Sequence, residues 1–120
     1  MANLLIVDDE ADIREGMRQL LIAHGHSVIE AGNGAAGLAQ LAQNRVDLVL
    51  MDIVMPGKEG IETIMEIRRL WPNMKIVAMS GRPRKDIFLD VASKLGADAI
   101  LHKPFQPGAL SKTVEGVLAR

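Results

Sequence analysis

Short, unbroken apolar runs alternate along the chain with segments in which apolar residues recur every three or four positions. The runs lie at residues 4–7, 28–29, 48–51, 76–79 and 99–101. Continuous hydrophobicity, unlike strict alternation, indicates strands that are covered on both faces. The runs therefore predict the strands of a buried parallel sheet.

The segments between the runs have a helical repeat. Their apolar stripes are Ile13, Met17, Leu20 and Leu21; Leu38, Leu41 and Ala42; Ile61, Ile64 and Met65; Ile87, Val91 and Leu95; and Leu110, Val114, Val117 and Leu118. Gly96 is placed to end the fourth helix. Strand and helix thus alternate five times, which predicts an α/β fold: a doubly wound five-stranded parallel sheet with helices on both faces. Such folds bind ligands at the carboxyl ends of their strands.

Composition limits the classes of function. A chain of 120 residues fits one domain, and a net charge of −1 with few aromatic residues does not favour nucleic-acid binding. The absence of cysteine excludes disulfides, thiol catalysis and zinc–thiolate sites. No apolar run approaches the roughly 20 residues of a membrane span, and the N-terminus does not read as a signal peptide. We therefore expect a cytoplasmic protein that contacts neither membrane nor nucleic acid directly.

Polar side chains follow the apolar runs where the strands should end. Asp8 and Asp9 follow the first run, Asp52 the third, Ser80 the fourth and Lys103 the fifth. In a parallel sheet these groups share one edge, where clustered carboxylates raise one another's pKa unless a cation is present. Oxygen ligands favour Mg²⁺ over zinc. The sequence therefore predicts a magnesium site whose charge is balanced by the metal and a lysine.

A carboxylate beside a metal ion and a lysine is well placed to attack a phosphoryl group. Mg²⁺ and Lys103 would stabilise the charge of the transferring oxygens, and Ser80 would donate a hydrogen bond to one of them. Simpler interpretations exist for each residue alone. Asp8 and Asp9 could cap the following helix, Asp52 could end a strand, and Ser80 and Lys103 could be turn residues. Their combination at matching strand ends favours a functional site.

Four motifs in order resemble those of the receiver domain of bacterial two-component response regulators. They are VDDE at 7–10, MDIVMPGKEG at 51–60, MSG at 79–81 and HKPF at 102–105. The resemblance covers essentially the whole chain and implies a single receiver domain over residues 1–120. It also implies the flavodoxin-like strand order 2-1-3-4-5.

The resemblance implies a role for each matched acid. Asp52 matches the aspartate that accepts a phosphoryl group from the phosphohistidine of a histidine kinase. Asp8 and Asp9 match the acidic pair of the Mg²⁺ site, with Asp9 expected as the direct ligand. Asp52 itself and the backbone carbonyl of Val54 would complete the metal ligands.

The resemblance also assigns the remaining matched residues. Ser80 matches the hydroxyl residue that turns towards the phosphoryl group on activation. Lys103 matches the invariant lysine of the family, and its bond to Pro104 is expected to be cis.

The implied function is a phosphorylation-dependent signalling switch. Phosphorylation would alter the surface of the fourth helix, fifth strand and fifth helix, about residues 84 to 119. The implied partners are a sensor histidine kinase or histidine phosphotransfer protein, and a downstream protein target or the protein's own output domain. The resemblance also allows a homodimer through the same surface. Beyond its own phosphorylation and slow dephosphorylation, no enzymatic activity is expected. A single-domain regulator and a receiver cut from a longer protein both remain open.

Two departures from the family pattern bear on mechanism. Ile100 stands three residues before the lysine, where the family usually has Tyr or Phe, so the usual exchange of an aromatic rotamer is not available. Val54 and Arg82 flank the path of a hydrolytic water, and neither is a good general base. We predict a long-lived aspartyl phosphate.

Three other functions deserve comparison. An FMN-binding flavodoxin-like module needs a phosphate-cradling loop after the first strand, where this chain has DDEAD. A Mg²⁺-dependent aspartyl phosphatase needs a general acid near the nucleophile, where residues 53–56 are Ile-Val-Met-Pro. A degenerate, non-phosphorylated binding domain should lack matched site residues, and all are present.

Overall fold

The computed structural model describes residues 1–53, 59–81 and 94–120, and contains the five-stranded sheet that the apolar runs predict. Its strands are β1 (Asn3–Val7), β2 (Ser27–Ala31), β3 (Leu48–Asp52), β4 (Lys75–Ser80) and β5 (Ala99–His102). Every neighbouring pair is parallel, and the order is β2-β1-β3-β4-β5. The fold class and the strand order 2-1-3-4-5 are therefore confirmed.

Helices cover both faces of the sheet. The described helices are α1 (Ala11–Ala23), α2 (Gly34–Gln43), α3 (Glu59–Leu70) and a C-terminal helix (Pro107–Leu118). Side chains of α1 and the C-terminal helix fill one core, and those of α2 and α3 fill the other. The helix expected around Ile87 and Val91 falls outside the described residues. Within the described part of the chain, no helix is both long and apolar enough to cross a membrane.

The first apolar run shows why continuous hydrophobicity suits this sheet. Leu4 and Ile6 point into the core beneath α1, whereas Leu5 and Val7 point into the core beneath α2 and α3. Successive side chains of a strand face opposite sides, so an unbroken run supplies both cores. All four residues are fully buried. The edge strands β2 and β5 are less buried, and their apolar runs are accordingly shorter.

Two residues of the predicted stripes in the described helices are misplaced, because Ala42 in α2 and Met65 in α3 are both exposed. Met65 was expected on the apolar face of α3, but 52% of its surface is exposed. The buried face of α3 instead carries Thr63, Ile64 and Ile67. A helix turns by about 100° per residue, so the stripe continues from Ile64 to Ile67 and Met65 is rotated towards solvent.

Candidate functional site

The register of the sheet brings the sequence-predicted site residues to one edge. Asp52 is the last residue of β3 and Ser80 the last of β4, while Asp8 and Lys103 directly follow β1 and β5. Asp8 is fully buried, Asp52 is 2% exposed and Ser80 is 3% exposed. The expectation that these strand ends converge is confirmed.

Lys103 is the cation that joins two buried carboxylates. Its Nζ lies 2.7 Å from Asp8 Oδ2 and 3.3 Å from Asp52 Oδ2. Burial by itself lowers the pKa of Lys103, but the hydrogen bond to Asp8 and the charge of Asp52 outweigh it, and the net pKa is raised. Lys103 is therefore a charged ammonium at neutral pH. Two carboxylates and one ammonium leave an excess of negative charge at the sheet edge.

Asp8 is fixed through every one of its polar groups. Its N–H donates to the Ala31 carbonyl at the end of β2, and its carbonyl accepts from Arg14. Its Oδ1 accepts from the Glu10 N–H at 2.9 Å, and its Oδ2 accepts from Lys103. Glu10 occupies the N-cap position of α1, so the Asp8 side chain binds the residue before the helix rather than its first turn. The simple helix-cap interpretation of Asp8 is therefore wrong.

Three consecutive carboxylates cluster at the site, and two of them face solvent. One oxygen from each of Asp8, Asp9 and Glu10 lies within 4.8 Å of the others, and Asp9 and Glu10 are exposed. A set of carboxylate oxygens with excess negative charge fits a hard divalent cation such as Mg²⁺. Because both Asp8 oxygens have protein partners, exposed Asp9 is the more available donor. Sequence reasoning did not assign Glu10 to the site, although its place beside Asp8 and Asp9 was a signal.

The backbone ties the end of β4 to the lysine. The Lys103 N–H donates to the Ser80 carbonyl at 2.8 Å, which continues the pairing of Ser80 with His102. The Lys103–Pro104 peptide bond is cis, as the resemblance implied. The expected metal ligand Val54 and the predicted hydrolysis-controlling residue Arg82 lie outside the described residues.

The family model for the response regulator receiver domain matches residues 4–115 of the chain. The chain belongs to the response regulator receiver domain family. Receiver domains of two-component systems are signalling domains without a distinct catalytic activity, so neither the FMN-binding module nor the aspartyl phosphatase is supported.

Two relatives of this receiver domain differ in how much of their length the chain covers. The chemotaxis protein CheY of Thermotoga maritima is 36% identical over 115 residues, covering 95% of this chain and 92% of that protein. The transcriptional regulatory protein AfsQ1 of Streptomyces coelicolor is 34% identical over 120 residues, covering all of this chain and 52% of that protein. The chain thus spans about half the length of some curated relatives and nearly all of others.

A solved structure shows the same architecture. The crystal structure of a CheY-like response regulator receiver domain protein from Methanospirillum hungatei superposes with a TM-score of 0.92 at 30% identity. The superposition covers 99% of this chain and 94% of that one.

Gly60 brings α3 into direct contact with the backbone of the site, a feature that sequence reasoning missed. A Cβ atom at Gly60 would lie 2.4 Å from Ile53 Cα and 2.6 Å from the Asp52 carbonyl oxygen. Backbone atoms cannot rotate away as a flexible side chain can, so only glycine permits this approach. The signal in the sequence was a glycine at the start of an amphipathic helix.

We expect Gly60→Ala to lower the free energy of unfolding of this receiver domain by about 2–3 kcal/mol, because the added methyl group overpacks against fixed backbone. Urea denaturation followed by circular dichroism measures the change. Gly116→Ala in the C-terminal helix is the matched control, since a Cβ there meets nothing within 4 Å. That control should be stabilising by up to about 1 kcal/mol through helix propensity. Equal stability of the two variants would contradict the close approach.

Proposed function

We propose that this domain is a phosphorylation switch in which Asp52 accepts a phosphoryl group from the phosphohistidine of a histidine kinase or a histidine phosphotransfer protein. One observation carries the proposal. The buried Asp52 carboxylate lies 3.3 Å from the Lys103 ammonium, at the sheet edge that also holds the acidic cluster of Asp8, Asp9 and Glu10. We further propose that residues 1–120 act as one receiver domain.

The transfer requires a nucleophile and a fixed positive charge. A carboxylate oxygen of Asp52 attacks phosphorus, the bond between phosphorus and the imidazole nitrogen breaks, and the imidazole keeps the electron pair. Lys103 holds its ammonium beside the oxygens that carry the phosphoryl charge. The Ser80 hydroxyl, at the end of the neighbouring strand, would donate a hydrogen bond to one of those oxygens. Burial of Asp52 limits the access of water to the product.

Asp8, Asp9 and Asp52, together with the Val54 carbonyl, would hold Mg²⁺ in this proposal. The bound cation would neutralise phosphoryl charge during transfer. Glu10 adds negative charge on the solvent side of the cluster, where a cation approaches. Asp9 and Glu10 are exposed, so that approach does not require the buried part of the site to open.

The output surface of the proposal is the one that the family resemblance gives, about residues 84 to 119. Its described portion, residues 94–119, includes β5 and the C-terminal helix. Ile100 in β5 pairs with Ala78 and is half-buried against the core beneath α2 and α3. An aliphatic side chain at this position requires a signal route other than an aromatic rotamer exchange. We propose that a downstream protein or an output domain binds this surface and that a homodimer would form through it. The proposed location is the cytoplasm.

The proposal is tested by intact-mass spectrometry after incubation with acetyl phosphate and Mg²⁺. We expect one phosphoryl adduct, and we expect EDTA to prevent it because the acidic cluster then carries no cation. Circular dichroism of the same sample confirms folding. A folded protein that gains no adduct would contradict the switch and indicate a receiver-like binding module regulated without phosphate.

The same experiment tests the stability of the adduct. Val54 and Arg82 are poor general bases, so we expect the aspartyl phosphate to persist for minutes or longer in Mg²⁺ buffer after the phosphodonor is removed. Val54→Asn, which supplies an amide able to orient water, should decay faster than wild type. A wild-type half-life of seconds would contradict this expectation.

A further inference from the structure

We infer that Arg14 is a positioning residue of the metal site, which fixes the Asp8–Asp9 peptide so that the acidic cluster can hold a divalent cation. The inference rests on the proposed binding of Mg²⁺ and goes beyond it, because Arg14 is not one of the proposed ligands. Arg14 is the fourth residue of α1, and the four motifs that carry the family resemblance do not include it.

Arg14 donates hydrogen bonds to two peptide carbonyls of residues 8–10, the acidic loop. Its Nη1 donates to the Asp8 carbonyl at 2.6 Å, a short, charge-assisted hydrogen bond. Its own N–H donates to the Glu10 carbonyl at 3.0 Å as part of the start of α1. The peptide groups of Asp8 and Glu10, on either side of Asp9, are thus held by one residue.

Glu30 holds Arg14 in place from the neighbouring strand. Arg14 Nε donates to Glu30 Oε1 at 3.1 Å, and the two side chains are only 20% and 27% exposed. The planar guanidinium can bond a carbonyl and a carboxylate at once, which a lysine ammonium does with less geometric definition. Glu30 also offsets the positive charge of Arg14, so the arginine orients the loop without adding a full cation beside the metal site.

The two effects of Arg14 on cation binding have opposite signs. As a positive charge it opposes a second cation, and its removal would strengthen Mg²⁺ binding. As a restraint it holds together three carboxylates that repel one another, and its removal lets the Asp8–Asp9 peptide rotate and weakens binding. Groups that orient metal ligands typically change affinity by about 10- to 100-fold when they are removed. We therefore expect the restraint to dominate.

Arg18 provides a matched control one turn further along α1. It also pairs with Glu30, at 3.5 Å, and its described partners are Glu15 and Glu30. Arg18→Ala therefore removes the same charge from the same helix and the same glutamate, while the bond to the Asp8 carbonyl stays.

The decisive measurement is Mg²⁺ affinity by isothermal titration calorimetry, with the metal alone as the probe. We expect Arg14→Ala to weaken the affinity about tenfold or more and Arg18→Ala to leave it nearly unchanged. Arg14→Lys, which keeps the charge, should recover only part of the loss. Amide chemical shifts of Asp9 and Glu10 in the metal-free protein should move in Arg14→Ala but not in Arg18→Ala.

The Mg²⁺ dependence of the phosphorylation rate distinguishes a loss of metal positioning from damage to the phosphoryl acceptor Asp52. For Arg14→Ala we expect the Mg²⁺ concentration at half-maximal rate with acetyl phosphate to rise, while the rate at saturating Mg²⁺ stays close to wild type. Unchanged or tighter Mg²⁺ binding in Arg14→Ala would overturn the inference. If that variant does not fold, Arg14→Met decides, since it keeps much of the side-chain length but cannot donate to the Asp8 carbonyl. A several-fold weaker affinity in Arg14→Met supports the inference, and an unchanged affinity overturns it. Failure of the wild-type protein to bind Mg²⁺ would instead refute the proposed function.

Discussion

Asp52→Asn should lose all capacity to form the phosphoryl adduct that wild type gains from acetyl phosphate and Mg²⁺. The amide is nearly the same size as the carboxylate but is not a nucleophile, and Asp52 is the buried carboxylate next to Lys103 at the end of β3. The variant should stay folded, because Lys103 keeps its 2.7 Å hydrogen bond to Asp8 and one buried charge has been removed. Intact-mass spectrometry measures the adduct.

The matched control for this experiment is Asp47→Asn. Asp47 accepts a hydrogen bond from the Asn3 N–H at the amino ends of the strands, on the opposite edge of the sheet. An asparagine oxygen can accept the same bond, so this variant should gain the adduct as wild type does. An adduct of wild-type yield on Asp52→Asn would show that another side chain is the acceptor, and peptide mapping would locate it.

Lys103→Met should have the largest effect on stability and should also slow phosphorylation severely. Without the ammonium, Asp8 and Asp52 remain buried beside each other with no cation between them. Breaking a buried ion pair by removing one partner typically costs about 3–5 kcal/mol, and Lys103 is only 11% exposed, so little of that is lost to solvent screening. Urea denaturation of the metal-free protein at neutral pH measures the difference.

The dependence of the free energy of unfolding on Mg²⁺ and on pH distinguishes the contribution of the Lys103 charge from that of its packing. A divalent cation that binds the native carboxylates should restore part of the stability of Lys103→Met, and more than it adds to wild type. The pKa of Lys103 is raised above its ordinary value of 10.5. Its electrostatic contribution is therefore fully present below pH 10.5 and is lost as pH rises through the higher folded-state value. The gap between wild type and variant should be constant from pH 7 to about pH 10 and shrink beyond it.

Lys112→Met is the control for loss of a lysine. Lys112 is exposed on the C-terminal helix, and its replacement should change stability by no more than about 0.5 kcal/mol. If Lys103→Met matched this control, the lysine would not be what balances the buried carboxylates.

The positions of the strands and of the convergent site were accessible from the sequence because they depend on local pattern. Each unbroken apolar run lies within a strand, and the polar residues after the runs do meet at one edge. The strand order and the cis bond before Pro104 came from the resemblance to a family rather than from periodicity. Ala42 and Met65 were misplaced because a stripe of three apolar residues leaves the rotation of a short helix undetermined.

The contacts of Gly60 and Arg14 were not accessible in this way, whereas Glu10 carried a signal in its place beside Asp8 and Asp9. The contacts of Gly60 and Arg14 depend on which atoms another element presents to the residue, and sequence spacing does not contain that information. Gly60 matters because α3 begins against the carbonyl of Asp52, and Arg14 matters because its guanidinium reaches between the Asp8 carbonyl and Glu30 on the neighbouring strand.

The sequence by itself determined that this protein is an α/β domain with acids, a hydroxyl and a lysine at the carboxyl ends of parallel strands. Two-sided burial of the strands and their alternation with helices are visible in the local pattern of apolar residues. Only the tertiary structure decided which of those groups form ion pairs and hydrogen bonds with one another. Packing of β1, β3 and β5 places one ammonium between two buried carboxylates, and the contact of α1 with β2 lets Arg14 and Glu30 fix the acidic loop. Those arrangements come from distances between elements that are far apart along the chain.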